Sequence, residues 1–342
     1  MKLPRFRTGD PDLDGEIAAL VNRVGTTSNE DLIFELVASA LLLAKDRVDR
    51  GDLKIANAAL QELRHAFLTF APYRASRKVG IFGSARTRQD DPLYQQAARF
   101  AAAMAAHEWM VITGAGPGIM AAGHEGAGAA NSFGVGIKLP IEQSANGFIA
   151  GDPKLIDFKY FFTRKIMFMK ESDAFVLLPG GFGTLDEAFE LLTLMQTGKT
   201  AIRPVVLLEP EGSTYWDEWL TFMRDELCGR GLASLEDMSL FELARTTEDA
   251  VALIERFYRN YHSARYVGER LVLRVRRVPS AEHLARLNRD FADLIEAGRI
   301  ERIRPTPAEQ RDKDALDLQR LALFPVHNFG RIRQLIDALN EL

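Results

Sequence analysis

A doubly wound α/β fold, its parallel sheet covered by helices on both faces, is what this 342-residue sequence predicts. Two observations carry that expectation. From Arg77 onward, short apolar runs without in/out alternation are separated by helix-length segments, and three of those runs end in glycine turns. Strands buried on both faces read as continuous apolar runs, and parallel strands need helical crossovers between them. The turns at Gly83-Ser84, Gly114–Gly118 and Gly180–Gly183 all follow strands. All three therefore fall at the carboxyl edge of the sheet, where such folds bind ligands.

The elements follow in order. Residues 13–70 place apolar side chains at helical spacing, such as Ile17, Leu20, Val21 and Val24, then Leu32, Ile33, Leu36, Val37 and Ala40, and show no strand-like run. Residues 1–76 are read as a helical cap, with Ala71 to Ser76 as its linker. Strands are expected over 79–82, 109–113, 133–139, 175–178 and 204–208, with helices over 92–107, 117–130, 163–171, 184–196, 215–227 and 248–260. Residues 77–262 thus form a Rossmann-like sheet domain. Beyond it, 263–342 reads as a small α+β appendage: a partly alternating run at 271–276, a helix over 281–296, a strand near 300–304, an apolar run at 318–324 and a last helix over 329–339.

Composition sets bounds without choosing a chemistry. The chain is 47% hydrophobic and 26% charged with a net charge of −4, so nothing points to nucleic acid or an anionic membrane as partner. The single Cys228 excludes an internal disulfide and fits a reducing compartment. The longest apolar segments, 36–44 and 97–106, are too short to span a bilayer, and residues 1–12 are polar with Pro4 and Pro11, unlike a signal peptide. A cytoplasmic protein is expected.

The chemistry concentrates in Pro179-Gly-Gly-Phe-Gly-Thr184, where a buried run turns into a helix. A helix N-terminus offers unpaired N–H groups and a positive dipole end to an anion, and glycines let the backbone come close. Gly180, Gly181, Gly183 and Thr184 are the expected phosphate ligands, while Glu187 and Glu190 share one helix face at i, i+3. The turn at Gly114, Gly116 and Gly118 fits either tight packing or a phosphate or ribose cradle. Beside the 180–184 turn, the cradle is the better reading. Gly83 and Ser84 join the same edge. Arg164 and Lys165 open a helix that leads into the strand before the main turn; they are either solvated charges or contacts to a sugar or phosphate. The segment from Leu139 to Asn146 is a plain polar loop on composition. No pair of the six His has metal-ligand spacing, and no metal is expected.

Together, Gly116-Pro-Gly-Ile-Met120, Leu139-Pro-Ile-Glu-Gln-x-x-Asn146, Tyr160-Phe-Phe-x-Arg-Lys165 and Pro179-Gly-Gly-x-Gly-Thr-x-x-Glu187 resemble the LONELY GUY (LOG) family over roughly residues 77–262. Its members are nucleoside 5′-monophosphate phosphoribohydrolases, known from cytokinin activation and often mislabelled lysine decarboxylases. The Leu-Pro-x-Glu-Gln block is more like the longer bacterial branch. The resemblance implies Arg164 and Glu187 as the catalytic pair, a nucleoside monophosphate such as AMP or a cytokinin riboside monophosphate as substrate, no cofactor, and a homodimer or higher homo-oligomer. Ala115, Ala121 and His124 depart from the family pattern, which has Gly, Glu and Asn there. Arg164 is expected to lower the pKa of Glu187 and keep it ionised. A pyridoxal-phosphate decarboxylase would need a Schiff-base lysine, for which Lys165 and Lys170 are the nearby candidates, and a pyridinium partner that the sequence does not supply. A nucleotide or phosphorylated-cofactor carrier of the same fold is the alternative. An NAD-dependent oxidoreductase is disfavoured because the acidic residue expected about twenty positions after the glycine turn is missing.

Overall fold

In the computed structural model, residues 4–25, 29–139 and 144–341 are described. The chain divides into two compact units, Met1–Arg64 and His65–Leu342.

The N-terminal region is helical, with α1 (Pro11–Val24), α2 (Glu30–Lys45) and α3 (Arg50–Phe70). Asp10 caps α1 by accepting from the N–H groups of Asp12 and Leu13, and Pro11 takes the first helical position, where its missing N–H costs nothing. Ile17 and Val21 bury against Phe34 and Ala38 of α2. Asp14 is buried but satisfied, accepting from both the N–H and the hydroxyl of Thr8.

The second unit opens with β1 (Lys78–Phe82), α4 (Pro92–Ala106), β2 (Met110–Thr113), α5 (Ile119–Ala127), β3 (Ser132–Ile137), β4 (Leu155–Phe158), α6 (Phe161–Glu171), β5 (Ala174–Leu177), α7 (Phe182–Gln196), β6 (Val205–Leu208), α8 (Tyr215–Phe222), β7 (Glu242–Ala244) and α9 (Thr247–Phe257). The seven strands run parallel in the order β4-β3-β2-β1-β5-β6-β7. This is the expected doubly wound sheet. Its strand order reverses between β1 and β5, which opens a crevice at their carboxyl ends. Val79, Ile81, Val111, Val176 and Val206 are buried with Phe100 and Met104 of α4, so apolar burial drives helix–sheet packing.

The chain continues through β8 (Tyr261–Val267), β9 (Arg270–Val275), α10 (Ala281–Asp290), β10 (Ile295–Ile303), α11 (Pro307–Asp312), β11 (Gln319–Pro325) and α12 (Phe329–Asn340). Four antiparallel strands in the order β10-β11-β9-β8 make a second sheet, whose core is built from Leu271, Leu273, Leu321 and Leu323 with Ile332, Leu335 and Ile336 of α12.

Some elements differ from expectation. The helix expected over 281–296 ends at Asp290, because Phe291 and Leu294 turn into the core and Ile295 begins β10. β4, β7 and β8 were not read from the sequence. β4 and β7 are short edge strands of three or four residues, and β8 is a half-buried edge strand without alternation. Among the described residues, no helix is long and apolar enough to cross a membrane.

Candidate active site

The three glycine turns meet at the β1/β5 crevice. Ser84 donates its N–H to the Pro179 carbonyl at 3.2 Å, while its own carbonyl accepts from Ile119 N–H at 3.0 Å. One residue thus ties the turn after β1 to the starts of α7 and α5. Gly118 has φ +65°, and a Cβ there would collide with the backbone of Ser84 and Ala85, so the close approach of two chain segments demands glycine. At Gly83 and Gly116 the tight neighbours are the side chains of Ile119 and Met120, each 2.7 Å from where a Cβ would stand.

The main turn leaves β5 through Leu178 and Pro179. Gly181 stands at the N-cap of α7 and has no side chain to supply a capping oxygen to the positive end of the helix dipole. Gly181 and Gly183 have open space where a Cβ would stand, and both are exposed. Gly180 packs on the buried Thr184, and its carbonyl accepts from the Tyr215 hydroxyl at 2.6 Å. Sequence reasoning did not single out Tyr215, which comes 35 positions later. Its neighbour Trp216 donates its N–H to the fully buried Glu209, which also pairs with Arg245 at 2.6 Å. This network seats the start of α8 against the glycine turn.

Arg164 and Lys165 of α6 point to different partners. The Arg164 Nε donates to the Val135 carbonyl at 2.9 Å, and its guanidinium lies against Gly114, so closely that a Cβ there would overlap it. Burial lowers the pKa of Arg164, partly offset by attraction to Glu187. Lys165 instead pairs with Asp186 at 2.7 Å and Glu190 at 2.5 Å. Burial pulls its pKa down, but the hydrogen bonds to those two carboxylates outweigh it and hold it above the ordinary lysine value. Lys165 and Glu190 therefore bind each other, joining α6 to α7.

Glu187 is 5% exposed, and its Oε2 has no hydrogen-bond partner among the described residues. Its pKa is not lowered as expected. Burial raises it to about 7, Lys165 and Arg164 oppose that only in part, and Asp186 and Glu190 add to it. Desolvation of a carboxylate that forms no direct ion pair outweighs the attraction of nearby cations.

The Gly114–Gly118 loop is fixed from behind. The Asn146 amide donates to the carbonyls of Ala115 at 3.0 Å and Gly116 at 2.9 Å. His124 is fully buried: its Nε2 lies 3.1 Å from the Phe133 carbonyl and 3.0 Å from the Thr113 hydroxyl, and its Nδ1 lies 3.1 Å from the Asn146 amide nitrogen. A neutral ring protonated at Nε2 satisfies these contacts, and burial lowers the His124 pKa accordingly. Asn146 thus ends the 139–146 block in a structural role that composition did not reveal; Pro140 to Gln143 of that block lie outside the described residues. Ala115 stands at φ +63°, a left-handed conformation costing a side-chain-bearing residue about 1 kcal/mol. Among the described residues, no three His, Cys, Asp or Glu side chains cluster as metal ligands would.

Residues 120–254 match the family described as "Possible lysine decarboxylase". The chain is 36% identical over 101 residues to a rice protein (Oryza sativa subsp. japonica) named probable cytokinin riboside 5′-monophosphate phosphoribohydrolase LOGL5, covering 30% of this chain and 39% of that one. Against the cytokinin riboside 5′-monophosphate phosphoribohydrolases of Arabidopsis thaliana, identity is 36% over 94 residues to LOG3 (28% of this chain, 42% of the relative) and 32% over 128 residues to LOG1 (37% and 57%). The chain spans about half the length of the curated relatives it matches. Among solved structures, the molybdenum cofactor carrier protein of Chlamydomonas reinhardtii aligns at 22% identity with a TM-score of 0.38, covering 53% of this chain and 97% of that one.

Proposed function

We propose that this chain carries a LOG-family domain and hydrolyses the N-glycosidic bond of nucleoside 5′-monophosphates, releasing free base and ribose 5-phosphate. One observation carries the reading: a buried carboxylate, Glu187, stands one turn behind the uncapped, glycine-lined start of α7, in the electrostatic reach of Arg164.

The 5′-phosphate binds the backbone of Gly180, Gly181 and Gly183 and the Thr184 hydroxyl, with Gly83, Ser84, Gly114, Gly116 and Gly118 completing the cradle. Cleavage of the C1′–N bond passes through an oxocarbenium-like sugar. Glu187 stabilises that cation and takes the proton of the attacking water. A carboxylate with a pKa of about 7 suits a general base at neutral pH. Arg164 contacts the sugar or the leaving base, while the Lys165–Glu190 pair holds α6 and α7 in register so that the two catalytic groups meet. Lys165 is unsuited to Schiff-base chemistry, which needs a lysine pKa lowered rather than raised. A homodimer or higher oligomer in the cytoplasm completes the proposal; light scattering and cell fractionation test it.

The deciding assay incubates the protein with AMP, GMP, IMP, CMP, UMP and a cytokinin riboside monophosphate, then measures free base and ribose 5-phosphate. Release from at least one is expected. Tight binding with every nucleotide recovered intact would establish the carrier instead.

A further inference from the structure

The second sheet holds a cavity of about 170 Å³ against the segment that follows α7. Its walls are mostly apolar, from Ile202, Leu271, Phe329 and Ile336. Polar groups on the lining are few. Tyr261 is 2% exposed and lines this space. Tyr266, more exposed, lines the same space. The exposed Lys199 lines it and pairs with no carboxylate among the described residues, whereas Arg265, the other cation on the lining, is taken up by Asp312 and Asp314. No Asp or Glu lines the cavity.

We propose that this cavity is a second small-molecule site, taking a flat apolar ring that carries one anionic group. The volume is on the scale that holds a single aromatic ring and is too small for a nucleoside monophosphate. An apolar pocket with a few convergent polar groups is the usual form of a small-ligand site. Here those groups are the Lys199 ammonium and the hydroxyls of Thr200, Tyr261 and Tyr266, a set that favours an anion over a cation. The ring would rest on Leu271, Phe329 and Ile336, with its carboxylate or phosphonate toward Lys199. The site lies at the far end of α7 from Thr184 and Glu187, beyond the turn at Thr197 and Gly198.

Isothermal titration of the full chain with benzoate, benzylphosphonate and uncharged benzyl alcohol tests this. One equivalent of a charged ring is expected to bind, with benzyl alcohol about tenfold weaker or worse. Lys199→Ala, on an exposed residue, should weaken benzoate about fivefold or more. Ala264→Leu, which fills the cavity, should remove binding while the circular dichroism spectrum stays that of the parent. Tyr261→Phe gives an independent reading by weakening benzoate if Ala264→Leu fails to fold. No heat from either charged ring, equal affinity for benzyl alcohol, or unchanged benzoate affinity in Lys199→Ala and Tyr261→Phe would each overturn the assignment.

Discussion

The Tyr215 hydroxyl donates to the Gly180 carbonyl at 2.6 Å, and so fixes one peptide plane of the proposed phosphate cradle. In a trans peptide the carbonyl and the following N–H point in opposite directions. Holding the Gly180 carbonyl toward α8 therefore aims the Gly181 N–H away from it, on the ligand side.

Tyr215→Phe removes only that hydrogen bond. It should cost about 1 kcal/mol of stability and raise KM for a nucleotide several-fold, with kcat little changed. Denaturant melts and steady-state kinetics measure both. An equal fall in kcat with KM unchanged would place Tyr215 in the chemical step instead.

Glu187→Gln should lower hydrolysis by about a hundredfold or more. In the parent, kcat/KM should climb as pH rises from 6 to 8 and level off above the Glu187 pKa of about 7. Stability moves the other way. A carboxyl whose folded pKa exceeds its unfolded value holds its proton more tightly when folded, so stability falls as pH rises from about 4.5 to 7. The variant escapes that penalty. Relative to the parent it should gain on the order of 2–3 kcal/mol between pH 4.5 and pH 8, which urea unfolding at the two values would show.

Gly114→Ala tests the placement of Arg164 without touching it. The new methyl must displace the guanidinium, and activity should fall about tenfold or more. Arg164→Ala alone should cost about a hundredfold. Adding Gly114→Ala to it should cost less than the product of the two single effects, because displacing the guanidinium is the part the two changes share, while the contact with the Met120 sulfur remains. Full additivity in that double-mutant cycle would separate the two positions.

His124→Ala should destabilise by about 2–4 kcal/mol at pH 8, removing its ring's contacts to the Thr113 hydroxyl and the Phe133 carbonyl and leaving a void beside the Gly114–Gly118 loop. The His124 pKa is depressed in the fold, so its contribution is complete above the unfolded value of 6.5 and is lost as pH falls below it. The gap between variant and parent should therefore narrow from pH 8 to pH 5.

Much of this molecule was readable before folding was considered. Val79–Phe82, Met110–Thr113 and Ala174–Leu177 are central strands buried on both faces, and that forces the uninterrupted apolar runs that mark them. Turns that must bring backbone close to backbone, as at Gly118, impose glycine, so the turns at the sheet's carboxyl edge were legible too. The edge strands β4, β7 and β8 were not, since β4 and β7 are too short to set a period and β8 is half-buried without alternation. Tertiary structure alone decided the electrostatics. How far Glu187 is desolvated depends on everything packed around it, and that burial outweighs the cations that local sequence placed nearby. Likewise Tyr215, Asn146 and His124 act through partners that only the folded chain brings within hydrogen-bond distance.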